Sequence, residues 1–234
     1  MRYSTDDDRS VAPFGVPYYT QWGSPEWVRA IAEEGADPCD DPGWRRSGFT
    51  DAARYRFWSQ RLCGLTCLES ALDFWGIGHP SQAAMLDDAL RRGVYKLRDD
   101  GGVDGLIYRP FADWVGDAFG VTVDVLPDVA LTAIAESLDR ETFAIVSVSP
   151  EIRRPERPNT KRGGHLILLH GRDAEGVWFH NPSGVPPWQA DARLPFDTME
   201  RFYAGRGMVL RRCATARAQD ERAAQTEGAA GTAG

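Results

Sequence analysis

The sequence has no apolar run long enough to cross a bilayer. Its longest runs, FAIVSVS and HLILLHG, have about seven residues, against the ~20 that a spanning helix needs. Positive charge is also in short supply. The chain carries 27 Lys and Arg against 34 Asp and Glu, and outside one loop the basic residues are scattered. A basic face for nucleic acid is therefore not expected. The opening MRYSTDDDRS lacks the apolar stretch of a secretory signal, which points to the cytoplasm. The four cysteines, Cys39, Cys63, Cys67 and Cys213, are too sparse for a disulfide scaffold. Their Cys-x3-Cys spacing and the His-x4-His spacing are not zinc patterns. Reduced thiols are expected, with no metal and no organic cofactor. What is present is ordinary for a globular chain: 42% of the residues are hydrophobic, enough to bury a core at this length.

Residues 1–12 read as a disordered lead-in and 213–234 as a flexible Ala/Gly-rich tail without bulky apolar residues. Between them, 13–212 reads as one domain. Ser24-Pro25-Glu26 opens a helix over about 25–34, a Gly/Pro/Asp-rich loop covers 36–49, and Thr50-Asp51 caps a second helix over 51–61. CGLTCLESALDFWG then carries two adjoining apolar stripes, the pattern of a buried central helix that ends at Gly76. Ser81 caps a further helix. Phe111, Trp114, Val115 and Phe119 mark another, and Leu131, Ile134 and Leu138 a short one. Strand signals follow at 121–126, 143–149, 165–171, 177–182 and 207–212, with RDAEG as a hairpin turn. Helices first and mostly antiparallel strands after them predict an α+β fold.

The residues that could carry chemistry are a cysteine that opens the central helix and a histidine about a hundred residues later at a strand start. At a helix N-terminus the free N–H groups and the dipole favour a thiolate at Cys63, and Gly64 leaves room for a substrate backbone. His165, after Gly163-Gly164, is placed to act as general base and then general acid. Asn181 can accept the proton of the second ring nitrogen and so fix the tautomer. Strand alternation puts His165 and Asn181 on faces opposite to His170 and His180, so the latter two need not share the site. Cys67 reads as core and Cys39 as a loop bystander. Trp22, Trp58, Trp75 and Trp114 read as packing. The stretch RRPERPNTKR (153–162) reads as a solvated loop that could also rim a cleft.

VPYYTQW, RLCGLTCLESALDFWG, GGHLILLHG and VWFHNPSG, in that order, resemble the motifs of the bacteriocin-processing, double-glycine-type peptidase-like family within the papain-like cysteine peptidases. The resemblance spans roughly 13–210. It implies a papain-like α+β fold, with Cys63 as nucleophile, His165 as base and Asn181 as orienting residue. Gln21 corresponds to the glutamine whose amide joins the Cys63 N–H in an oxyanion hole. Gln60, three residues before Cys63, is a second candidate donor. On a helix over 51–61 packed through Tyr55, Trp58 and Leu62, it would face solvent.

The expected activity is a thiol-dependent peptidase or amidase that works through a thioester on a peptide or protein substrate. A separate transporter or biosynthetic chain could present that substrate. An acyltransferase using the same thioester, or a silent papain-like binding protein, are the alternatives.

Overall fold

The computed structural model describes residues 15–212; the lead-in and the tail, Cys213 included, lie outside the described residues. Helices come first: α1 (Val28–Glu33), α2 (Ala52–Ser59), α3 (Cys63–Phe74) and α4 (Gln82–Arg91). A short hairpin of β1 (Tyr95–Leu97) and β2 (Val103–Leu106) leads into α5 (Tyr108–Phe119). There follow β3 (Val121–Leu126), α6 (Leu131–Glu136), β4 (Thr142–Val148), β5 (His165–Arg172), β6 (Gly176–His180), β7 (Ala192–Pro195), α7 (Phe196–Glu200) and β8 (Tyr203–Arg212). Six strands form one antiparallel sheet in the order β3-β8-β4-β5-β6-β7, and β1-β2 form a second sheet of their own. The architecture is α+β.

Period-two alternation along the central strands builds two apolar layers. Phe143 and Ile145 of β4, Leu166 and Leu168 of β5, and Met208 and Leu210 of β8 face α3 and α5. Ala144, Val146, Ile167, Leu169 and Val209 face α6 and α7 on the other side. Because both faces are covered, every residue of β4 is buried. The two stripes of α3 supply Leu65, Leu68, Ala71 and Leu72 to the first layer, each fully buried. At its end the Trp75 ring stacks on Phe143 with centroids 5.1 Å apart, and its indole N–H donates to the Arg140 carbonyl at 3.0 Å. Trp22, Trp58, Trp75 and Trp114 are all buried.

The segment between Gln21 and Cys63 is more ordered than its composition suggests. Three short 3-10 turns, Pro25–Trp27, Pro38–Asp40 and Trp44–Ser47, fold around the buried carboxylate of Asp41. Asp41 accepts from the Ser24 N–H (2.7 Å), the Ser24 hydroxyl (2.6 Å) and the Gly43 N–H (2.7 Å). A Cβ at Gly23 would lie 2.2 Å from the Gly43 carbonyl carbon, so two backbones touch here and only glycine fits.

Elements that the sequence does not announce are the short ones. β1 and β2 are rich in charge and glycine, and β7 has four residues ending in proline, so neither carries enough alternation to register. The second helix stops at Ser59 instead of 61, and Gln60 is its C-cap.

Candidate functional site

Cys63 is the first residue of α3, and His165 is the first residue of β5. The two line one cavity of about 390 Å³. Gln60, Arg61, Tyr108, Ser147, Gly164, Leu166, Arg206 and the β2 residues Val103 to Leu106 complete its walls. No side chain caps the α3 N-terminus. The backbone of Leu166, Gly64 and Cys63 itself favours charge on the sulfur instead.

On the far side of the imidazole, His165 Nε2 lies 2.8 Å from Asn181 Oδ1. The Ser183 N–H, which can only donate, reaches the same Oδ1 at 3.2 Å. That contact fixes the amide with oxygen toward the ring, so Nε2 carries the proton and Nδ1 keeps its lone pair. Asn181 itself lies one residue beyond β6 and is fully buried. Its turn is held from two directions. The Asn181 N–H donates to the Gln189 carbonyl at 2.8 Å, and the Tyr18 hydroxyl donates to the Asn181 carbonyl at 3.1 Å.

Gln21 reaches this turn from the N-terminal segment. Its N–H donates to the Pro182 carbonyl at 3.0 Å, beside the Thr20 hydroxyl on the same oxygen at 2.9 Å. The Gln21 side chain is buried, its Oε1 lacks a hydrogen-bond partner, and it is not part of the cavity wall. Gln60 is exposed and does line the cavity. The helical projection is right that it faces solvent, since Gln60 caps α2 with helical backbone angles; what the projection does not show is that this exposed side chain also borders the cavity. Cys67 is buried one turn into α3, with its thiol 3.8 Å from the Leu166 carbonyl. Cys39 lies apart, in the second 3-10 turn.

Two residues at the site carry no sequence signal of their own. Ser183 places its Oγ 3.1 Å from His165 Nε2. Arg153, from the basic stretch before β5, donates to the Ser183 carbonyl at 2.7 Å and to its hydroxyl at 2.6 and 3.1 Å. The position of that stretch just ahead of His165 was the available clue. Gly64 also differs from expectation. A Cβ there would lie 2.5 Å from Leu106 Cδ1 and 2.9 Å from Leu166 Cδ1, so the room beside it is filled by packing and not left for a substrate.

The electrostatics correct the simple helix-dipole reading. Burial pushes the Cys63 thiol above its ordinary value and outweighs the three backbone groups and the Arg153 charge, which pull it down. Burial, helped by the positive Arg153, pushes His165 down to about 3, against the Asn181 hydrogen bond that favours its charge. Both shifts favour the neutral forms, a thiol and an imidazole, over an ion pair in this enclosed state.

No protein-family model and no curated protein matches the chain. Among solved structures, a protein from Bacillus anthracis described as a C39-like peptidase aligns at 12% identity over 88% of this chain and 99% of that one, with a TM-score of 0.54. The chain has the fold of a C39-like peptidase. That fold is papain-like, with the helix bearing Cys63 packed on the antiparallel sheet. A double glycine motif protease from an AMS/PCAT transporter, solved with its leader peptide, aligns at 12% identity over 64% of this chain and 84% of that one, with a TM-score of 0.44. Within the described residues, no helix is long and apolar enough to cross a membrane.

Proposed function

We propose that the protein is a cysteine peptidase or amidase in which Cys63, His165 and Asn181 act in sequence on a peptide or amide bond. The observation that carries this reading is the 2.8 Å contact between His165 Nε2 and Asn181 Oδ1, in a cavity that Cys63 shares. The contact leaves Nδ1 as the base. As the sulfur attacks the carbonyl carbon, the thiol proton passes to Nδ1 and an oxyanion forms. Collapse expels the amine, which takes the proton back from His165, and leaves a thioester on Cys63. Water activated by the same nitrogen then releases the acid. A neutral resting pair suits this order, because charge develops only when substrate has displaced the solvent. The Cys63 N–H and the Gln21 amide stabilise the oxyanion. Support for Gln21 is its backbone tie to Pro182, next to the residue that holds His165. Gln60 is the rival donor on the cavity wall.

The test is a fluorogenic peptide library assayed with wild type and Cys63→Ala. Turnover that disappears in Cys63→Ala, with a thioester trapped by hydroxylamine in the wild type, supports the reading. Turnover that survives Cys63→Ala overturns it.

A further inference from the structure

On the α3 side of the sheet, across from His165, two more imidazoles meet. Leu168 of β5 pairs with His180 of β6, and the register slips between Leu169 and Gly171. The slip brings the His170 ring within 4.4 Å of the His180 ring. Asp191, one residue before β7, closes the group. Its Oδ1 lies 3.5 Å from His170 Nε2 and 4.0 Å from His180 Nδ1. The three candidate ligand atoms lie within 4.8 Å of one another.

Hydrogen bonding within this cluster is incomplete in an informative way. His170 is fully buried, and neither of its ring nitrogens makes a hydrogen bond, the Asp191 carboxylate being the nearest charged group to Nε2. Buried polar atoms are nearly always paired, so this imidazole points at something that would take its lone pair. His180 gives its Nε2–H to the Val16 carbonyl at 2.8 Å, which leaves Nδ1 as a lone pair facing the cluster. The Asp191 N–H covers that lone pair at 3.1 Å. Asp191 holds φ at +45°, the one non-glycine residue with positive φ among the described residues, so its carboxylate is set inward at a backbone cost.

We propose that His170, His180 and Asp191 bind a divalent transition-metal ion, with zinc the best match. Two imidazoles and one carboxylate suit zinc and disfavour the all-oxygen cations calcium and magnesium. Tetrahedral zinc with bonds near 2.0–2.1 Å needs ligand atoms about 3.3 Å apart. Closing the present 3.5 and 4.0 Å separations to that requires the Asp191 N–H to release His180 Nδ1, so the turn before β7 shifts when the ion binds. The Val16 carbonyl is the outer partner that a metal-bound histidine ordinarily has. Asp191 is half exposed, which gives the ion an entry path and a water as fourth ligand. His170 lies five residues along β5 from His165, roughly 16 Å at the usual strand rise, so the ion would be a clamp and not a catalyst. It would tie β5, β6, the start of β7 and the N-terminal segment together. The closed loop 181–191 is the one that carries Asn181 and Ser183.

The experiment is cobalt and zinc titration of the full chain after stripping with EDTA. One Co²⁺ per chain should bind with tetrahedral visible bands and no sulfur-to-cobalt charge-transfer band. Zn²⁺ should displace it and raise the melting temperature by several degrees. Asp191→Asn, which keeps a residue tolerant of positive φ, should weaken binding at least tenfold with the metal-free melting temperature unchanged. His180→Ala should abolish binding. No uptake by the wild type, uptake unaltered in Asp191→Asn, or a thiolate band that places the ion on a cysteine would each overturn the proposal.

Discussion

Arg153 grips Ser183 at two atoms, the carbonyl at 2.7 Å and the hydroxyl at 2.6 Å, and so fixes the hydroxyl that touches His165 Nε2. The guanidinium sits close enough to Cys63 and His165 to oppose charge on the imidazole and favour it on the sulfur. It therefore acts on His165 through position and through charge.

The acid limb of kcat/KM should report that charge. The proposed mechanism needs neutral His165, whose value near 3 keeps it unprotonated far below the ordinary 6.5. The wild-type rate should thus persist well below pH 6.5. Arg153→Gln removes a positive neighbour and raises the imidazole pKa, so the limb should move to higher pH. A pH–rate profile with an unmoved or lowered limb would contradict this.

Thiol labelling should follow the raised value of Cys63. Because iodoacetamide reacts with thiolate, its rate should climb past pH 8 without levelling off below the ordinary cysteine value of 9.0. Mapped adducts should fall on Cys63 and spare Cys67, which is 1% exposed. A plateau near pH 6 would mean that the ion pair exists in the resting protein.

The oxyanion donor can be assigned by comparing two glutamines. Gln21→Ala should lower turnover roughly 10²-fold or more, as loss of one such donor does. Gln60→Ala should change it less than about tenfold. The reverse order, at unchanged melting temperature, would move the donor to the cavity wall.

Asn181→Ala should leave His165 free to adopt the other tautomer and lower turnover by about 10² or more, with kcat falling more than KM rises. Ser183→Ala should cost less, since Asn181 still holds the proton. Steady-state kinetics on the two variants decide the ranking.

Stability should depend on a carboxylate far from the chemistry. Asp41→Ala leaves three buried donors from Ser24 and Gly43 without their acceptor. Hydrogen bonds to a charged group contribute about 1.5–3 kcal/mol each way of counting, so a loss of ~2–4 kcal/mol is expected in urea unfolding. A loss under ~1 kcal/mol would mean that water reaches the pocket.

Periodicity made the long elements legible. α3 begins at Cys63, and β5 begins at His165, because their apolar stripes start there. The pairing of His165 with Asn181 followed from strand faces. What stayed hidden depends on contacts between distant segments. Arg153 reaches Ser183 only because the turn after β6 folds back over the 3-10 turn at Pro150–Arg153. Asp41 reads as one acid among several in a polar loop until the chain closes over it. The sign at Cys63 was missed for the same reason: a helix end is visible in a sequence, and the depth of its burial is not.

The hairpin of β1 and β2 shares no strand pairing with the large sheet, yet Val103 to Leu106 form a wall of the cavity that holds Cys63. The Ile107 N–H to the Val94 carbonyl at 2.7 Å closes the base of the hairpin, and the Tyr95 hydroxyl ties it to the body at the Arg61 carbonyl, 3.3 Å away. If the proposed activity holds, selectivity and scaffold would be carried by separate parts of the chain. Exchanging side chains at 103–106 would retune which residues fit beside the scissile bond while the six-strand framework keeps its register, so new substrate preferences could arise here without passing through unfolded intermediates.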